Sequence, residues 1–403
     1  MHTAKHFDHV GIREETNKLH SAVVSGPLGA ETVLAKLYPQ EISLFGNNID
    51  TLAASVELEM FHYTLAINGV NTLFFRDKLA EILVKDKKMA KLVTKKIESK
   101  LIDKAKKIHE KYKPKGQDLE QVIHEVNKFY KRDVDAYGEP GAAAVNYKLS
   151  LENKIPLGNI IFSRDQANVV LGARIISNMK KDIRKPEVDL YNLVYDDSLS
   201  PHRTISLPAS QTVEGGDIFV HDKVIYIGIG PRTSESAAKT IFKKMMPLIR
   251  EYKYEFAVVG SWHAPKREKN DEMNFMHLDS WAMPLGKNQM LVFEGEAVYR
   301  TVELYQEKNG RMVIHDTGLN FIEFVQSRDQ RVYYVPKGEQ ANLGCNILSV
   351  NEDTIVIPNL LNKGTLGQLK KAGKTIIPAP LNEISKGFGA VHCLVAPVER
   401  SRA

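Results

Sequence analysis

Val224-Ile225-Tyr226-Ile227-Gly228-Ile229-Gly230 is an apolar run that ends on glycine, and Ser234 stands just before a helical stretch that continues through Leu248. A continuous apolar run of this length predicts a buried strand. Serine at that position predicts the cap of the helix. The alternation recurs downstream, where residues 256–260, 290–293, 332–335, 354–357 and 375–378 predict strands and 366–372 a helix. Upstream, residues 21–25 running into Gly26-Pro27 predict a strand and turn. Residues 57–67 predict a helix broken by Gly69, and 71–75 a further strand. Strands and helices interleaved throughout make the chain α/β. No repeat of fixed period is visible.

One segment departs from this pattern. Met89, Val93, Ile97, Leu101, Ala105, Ile108 and Tyr112 recur every three or four residues, an amphipathic helix period over residues 78–112. Lys113-Pro114-Lys115-Gly116 ends it, residues 119–130 predict another helix, and Gly138-Glu139-Pro140-Gly141 marks the exit. Residues 76–140 are therefore expected as a helical insertion.

The basic charge of the chain lies in this segment. Residues 81–115 hold 13 lysines against five acidic groups, whereas the rest of the chain has 42 basic against 44 acidic residues. The lysines fit the solvated face of a helix better than a nucleic-acid surface. The hydrophobic share of 43% over 403 residues supports a large core and excludes a disordered chain. No apolar run approaches the ~20 residues of a membrane helix. Residues 1–19 show no apolar signal core, and Cys345 and Cys393 are the only cysteines. Both features point to a reducing, cytoplasmic setting with no membrane partner.

Four motifs place reactive groups beside glycine or at expected strand ends. Asn159-Ile160-Ile161-Phe162-Ser163-Arg164-Asp165 reads as an apolar strand closed by a charged pair, which alone suggests only a surface ion pair. In Glu214-Gly215-Gly216-Asp217 two carboxylates flank a glycine pair, suited equally to a hairpin turn or to close ligand approach. In Met276-His277-Leu278-Asp279, read as a strand, the imidazole and carboxylate share one face. That pairing suits acid–base work or metal binding. Lys386-Gly387-Phe388-Gly389-Ala390-Val391-His392-Cys393 is a glycine loop that delivers a thiol, expected to be exposed and near positive charge. Cys345, in Leu343-Gly344-Cys345-Asn346, reads as buried and inert.

Together and in this order, these motifs resemble those of the arginine deiminases, within the superfamily that includes amidinotransferases and agmatine deiminases. Asn342-Leu343-Gly344-Cys345-Asn346 and Lys370-Lys371-Ala372-Gly373 are similar as well, and the resemblance covers nearly the whole chain. It implies a five-bladed pseudo-symmetric α/β propeller (the pentein fold), forming a single catalytic domain over residues 1–403 with the helical insertion outside the ring. By resemblance, Cys393 is the nucleophile, His277 moves protons, Glu214 orients His277, and Asp165 and Asp279 grip the guanidinium. Asn159, Arg184, Arg232 and Asp217 are implied in substrate binding, the two arginines for an α-carboxylate. The implied reaction is hydrolysis of L-arginine to L-citrulline and ammonia through a covalent thiouronium, with no metal or cofactor, in a homo-oligomer. Two positions depart from the family: Phe388 stands near its usual arginine, and Gln166 where proline is commoner.

Other functions compete with this one. An amidinotransferase would pass the amidino group to an amine, and a deiminase could act on agmatine or peptidyl arginine. A metal hydrolase could use His277, Asp279, Glu214 and Asp217, but it leaves Cys393 unexplained. A non-enzymatic protein could bind a partner through its lysine-rich insertion.

Overall fold

The computed structural model describes residues 11–92, 96–199, 203–260, 275–359 and 363–401. Near the chain's start, β1 (Leu19–Val24) pairs in parallel with β2 (Asn71–Phe74). A second sheet places β3 (Ala167–Val170) antiparallel to β4 (Ala173–Ile176), with β5 (Arg203–Ile205) parallel on its other side. The third repeats the plan with β6 (Ile218–His221), β7 (Val224–Gly228) and β8 (Glu255–Gly260).

In the fourth sheet β9 (Ala282–Gly286) and β10 (Gln289–Val292) form the antiparallel pair. The chain then widens the third sheet with β11 (Thr301–Lys308) and β12 (Arg311–Asn320) before β13 (Arg331–Tyr334) joins β10 in parallel. The fifth contains β14 (Leu348–Ser349), β15 (Thr354–Pro358) and β16 (Thr375–Ala379). Last, β17 (Val395–Arg400) runs antiparallel to β1 and completes the first sheet.

Each of these five sheets thus joins an antiparallel pair to a parallel third strand. The antiparallel pairs need tight turns. Leu171-Gly172 (φ 50° and 82°), Asp222-Lys223 (46° and 62°) and Asn309-Gly310 (54° and 76°) supply them as two-residue loops with both φ positive. The parallel partners need crossovers, which helices such as Lys185–Ser198 and Glu235–Tyr252 provide. Ser234 caps the second of these, its side chain accepting from Ala237 N. Every residue of β7 is buried, as its apolar run requires.

Residues 78–112 are not one helix. They fall within Phe75–Lys85, Lys87–Leu92 and Ile97–Tyr112. Asp86 adopts an extended conformation and its carboxylate accepts from Lys88 N at 2.8 Å, so it caps a new helix and cannot sit inside an old one. Ile97, Leu101, Ala105 and Ile108 are buried at the expected period, while Val93 lies outside the described residues. The helix Leu119–Asn146 runs on past the expected exit. Only Gly138 leaves helical geometry there (φ 70°, ψ 165°), and Pro140 follows the kink, in a turn where proline is tolerated.

Buried ion pairs bind these helices to the rest of the protein. Arg76 reaches Glu31 at 2.8 Å and Asp133 at 2.5 Å. Lys36 meets Glu125 at 2.8 Å. Among the described residues, no helix is long and apolar enough to cross a membrane.

Candidate active site

Residues of the candidate site occupy one equivalent position in each of the five sheets, just ahead of the edge strand of its antiparallel pair. Asp165 ends the 3-10 turn Ser163–Asp165 before β3, and Asp217 ends the turn Gly215–Asp217 before β6. Asp279 lies in the turn Leu278–Ser280 before β9. Asn346 precedes β14, and Cys393 precedes β17. Two motifs expected on strands are therefore tight turns: residues 159–165 and 276–279. Turns at strand mouths aim their side chains at one another, which a shared strand face would not do.

Glycine permits the close approach. A Cβ on Gly215 would lie 1.8 Å from the Arg164 carbonyl oxygen. One on Gly216 would lie 2.7 Å from His277 Nδ1 and 3.0 Å from Asp279 Oδ1. The glycine pair is thus a surface on which the two catalytic candidates rest, not a hairpin turn.

His277 Nε2 sits 3.0 Å from Glu214 Oε2, and its Nδ1 lies 3.7 Å from Asp165 Oδ1. Burial opposes charge on His277, but Asp165, Glu214 and Asp217 outweigh it and raise its pKa to about 9. For Glu214 burial raises the pKa, yet His277, Arg232 and Arg184 together hold it below the usual carboxylate range. Asp217 gives one oxygen to Leu278 N (2.9 Å) and the other to Thr233 Oγ1 (2.6 Å). Expected among the substrate-binding residues, it fixes the His277 segment through Leu278 N. Burial raises its pKa to about 7.

Cys393 corrects one expectation: its side chain is buried, with the residue only 8% exposed, and its charged neighbours are acidic. Asp279 Oδ2 lies 3.9 Å from the thiol. Burial, Asp279 and Asp165 push the thiol pKa well above its ordinary value. Asn346 counters them in part, donating from Nδ2 to the sulfur at 3.1 Å. Its Oδ1 accepts from His392 N at 3.0 Å. Cys345 is buried, as expected, and burial pushes its thiol up too.

The expected substrate-binding residues are all buried here, and all face protein groups. Asn159 Nδ2 donates to Ser43 O at 3.0 Å. Arg232 lies 3.5 Å from Glu214. Arg184 pairs with Asp165 at 2.8 Å and with Glu187 at 2.9 Å. Lys386, the cation nearest the thiol in its loop, pairs with Glu383 at 2.6 Å. Phe388 adopts the left-handed conformation (φ 68°).

A further buried layer was not anticipated. His392 Nδ1 lies 2.7 Å from Asp279 Oδ2, and its Nε2 3.4 Å from Glu15. Arg164 (3.4 Å) and Arg400 (3.5 Å) also converge on Glu15. Asn346 lay in a motif already singled out. Glu15 had no such signal, since an acidic pair near the chain's start reads as surface charge.

Asp165, Glu214 and His277 could offer a metal three donors within 4.8 Å of one another. The same carboxylates already face Arg184, Arg232 and His277, so a cation would have to displace charges that balance them. The arrangement suits a guanidinium better: acidic groups that match a planar fork of N–H donors, beside a thiol.

The chain is 24% identical over 415 residues to the arginine deiminase of Metamycoplasma hominis, covering 98% of this chain and 97% of that one. It is 22% identical to the arginine deiminase of Listeria innocua, covering 97% of this chain and 98% of that one. Among solved structures the fold is similar to SxtG, an amidinotransferase from Microseira wollei (TM-score 0.54, 13% identity, 98% of each chain). It is also similar to DDAH from Pseudomonas aeruginosa complexed with citrulline (TM-score 0.52, 14% identity, 94% of this chain and 99% of that one). The α/β fold is thus that of the amidinotransferases and their hydrolase relatives. The family model for arginine deiminase matches residues 43–400, which take in four of the five sheets whole and two of the three strands of the first, and on this match the chain belongs to the arginine deiminase family.

Proposed function

We propose that this protein hydrolyses L-arginine to L-citrulline and ammonia, with Cys393 as nucleophile. The observation that carries the proposal is the convergence of a thiol, two aspartates and a His277–Glu214 pair at the mouths of separate sheets. Asp165 and Asp279 hold the substrate guanidinium flat before Cys393. The arriving cation offsets the two aspartates that keep the thiol protonated, so the thiol releases its proton to solvent and the thiolate forms with substrate in place.

The thiolate attacks the guanidinium carbon, forming a C–S bond. Protonated His277 gives its proton to the leaving amino group, the C–N bond breaks, and ammonia departs. The neutral imidazole then takes a proton from water as the oxygen attacks the thiouronium carbon. The C–S bond breaks, and citrulline and thiolate are released. The sheets are read as five blades of a pseudo-symmetric propeller with this chemistry at its axis, because each blade contributes at least one residue to it.

Incubation with L-arginine, with Cys393→Ser beside it, tests the proposal. Citrulline and ammonia from wild type alone are expected. Equal activity in the variant would sink the covalent route. Transfer of the amidino group to an added amine without citrulline would replace hydrolysis by amidinotransfer.

A further inference from the structure

The carboxylate assigned to the substrate's guanidinium is paired with a guanidinium of the protein. Arg184 Nη1 lies 2.8 Å from Asp165 Oδ2 and 3.9 Å from Glu214 Oε2. Its other edge is fixed: Nε lies 3.1 Å and Nη2 2.9 Å from Glu187 Oε2. Glu187 is itself held by Gln166 Nε2 at 2.9 Å, the side chain that stands where the family more often has proline. Arg184, Glu187 and Asp165 are all nearly excluded from solvent. Three carboxylates thus surround this guanidinium as they would a bound substrate. Asp165 Oδ1, by contrast, accepts no hydrogen bond from a described residue.

The geometry points to a specificity device of our own inference: Arg184 is a built-in competitor for the guanidinium subsite. A guanidine that enters must take Asp165 from Arg184, and a displaced buried cation is costly unless an anion receives it. A substrate carboxylate is such an anion. The site therefore selects guanidines whose far end is anionic, because only these displace Arg184 and satisfy it in one event. Glu187 is the positioning residue that keeps Arg184 poised between the two partners. This inference rests on the reading of Asp165 as the group that holds the guanidinium.

Binding in the Cys393→Ser protein tests it without turnover. Methylguanidine and L-arginine are titrated calorimetrically with Arg184 intact and in Arg184→Gln. The competitor model predicts opposite signs. Methylguanidine tightens by about tenfold, because the fraction of molecules with Asp165 vacant rises, and L-arginine weakens. A simple carboxylate clamp would weaken L-arginine and leave methylguanidine unchanged, and a structural role would weaken both. Either result overturns the inference.

Arg184→Gln leaves Glu187 without its cation, so a second measurement keeps Arg184 in place. Saturating acetate should tighten methylguanidine by several-fold through reciprocal coupling. No coupling would overturn the inference independently. Citrulline formation by wild type is scored separately. Its absence beside inverted binding signs would sink the deiminase and keep the competitor, and its presence without inversion would do the reverse.

Discussion

His277 Nε2 and Glu214 Oε2 stand 3.0 Å apart, both buried, and each holds the other in its charged form. An imidazolium at neutral pH is what the leaving amine needs. With a pKa raised to about 9, His277 keeps its proton until pH approaches that value, and the alkaline limb of kcat/KM should fall near there. Glu214→Gln should move that limb to lower pH and cut kcat on the order of 10²-fold. A pH–rate profile of both proteins checks this. The pair also bears on stability. A raised pKa on His277 stabilises the fold fully below its unfolded value and is lost as pH rises through about 9.

The Cys393 thiol should resist ionisation in the empty protein. Ultraviolet thiolate absorbance, taken as the difference between wild type and Cys393→Ser, should rise only at strongly alkaline pH. Asp279→Asn removes the nearer carboxylate and should shift that rise down. A thiolate already present at pH 7 in wild type would contradict the burial and charge that surround it.

Gly216→Ala should damage catalysis more than folding. Its Cβ would press on His277 Nδ1 and Asp279 Oδ1, side-chain atoms that can shift by a few tenths of an ångström. A shift of that kind misplaces both groups and should lower kcat/KM by about 10²-fold. Gly215→Ala meets backbone at 1.8 Å and should instead lower the melting temperature. Equal effects of the two on activity and stability would show that the distinction is wrong.

Glu15→Gln should destabilise the protein by about 3 kcal/mol, since Arg164 and Arg400 lose the anion they share in the interior. Urea unfolding measures it. Burial raises the Glu15 pKa, but Arg164, Arg400 and His392 hold it well below the usual range. Its contribution is therefore present above its unfolded pKa of ~4.3 and lost as pH falls. Wild type and variant should converge in acid.

Much of the strand order was legible because strands buried on both faces, such as β7 and β15, appear as unbroken apolar runs. β11 and β12 escape that search: β12 is exposed along most of its length, so its residues mix polar and apolar types. Their Asn309-Gly310 turn was the readable signal. The breaks in the helical segment were hidden for another reason. Asp86 interrupts the helix through its own side chain, which a hydrophobic period does not register.

In the site, residue types were legible and relations were not. Asp165, Glu214, His277, Asp279 and Cys393 stood out beside glycine or within short motifs. The contacts of Arg184 with Asp165, and of His392 with Glu15, join parts of the chain far apart in sequence. The acidity around Cys393 was missed for the same reason, since its neighbours in sequence are glycine, alanine, valine and histidine.

The pairing of β17 with β1 sets the order in which the molecule becomes competent. Ser21 and Glu399 are hydrogen-bonded across 378 positions of sequence, so this seam joins the two ends of the described chain. Cys393 stands immediately before β17. During synthesis the carboxylates and His277 emerge first, and a partly made chain carries them with no nucleophile. On the proposed mechanism, reactivity is therefore withheld until synthesis has passed β17.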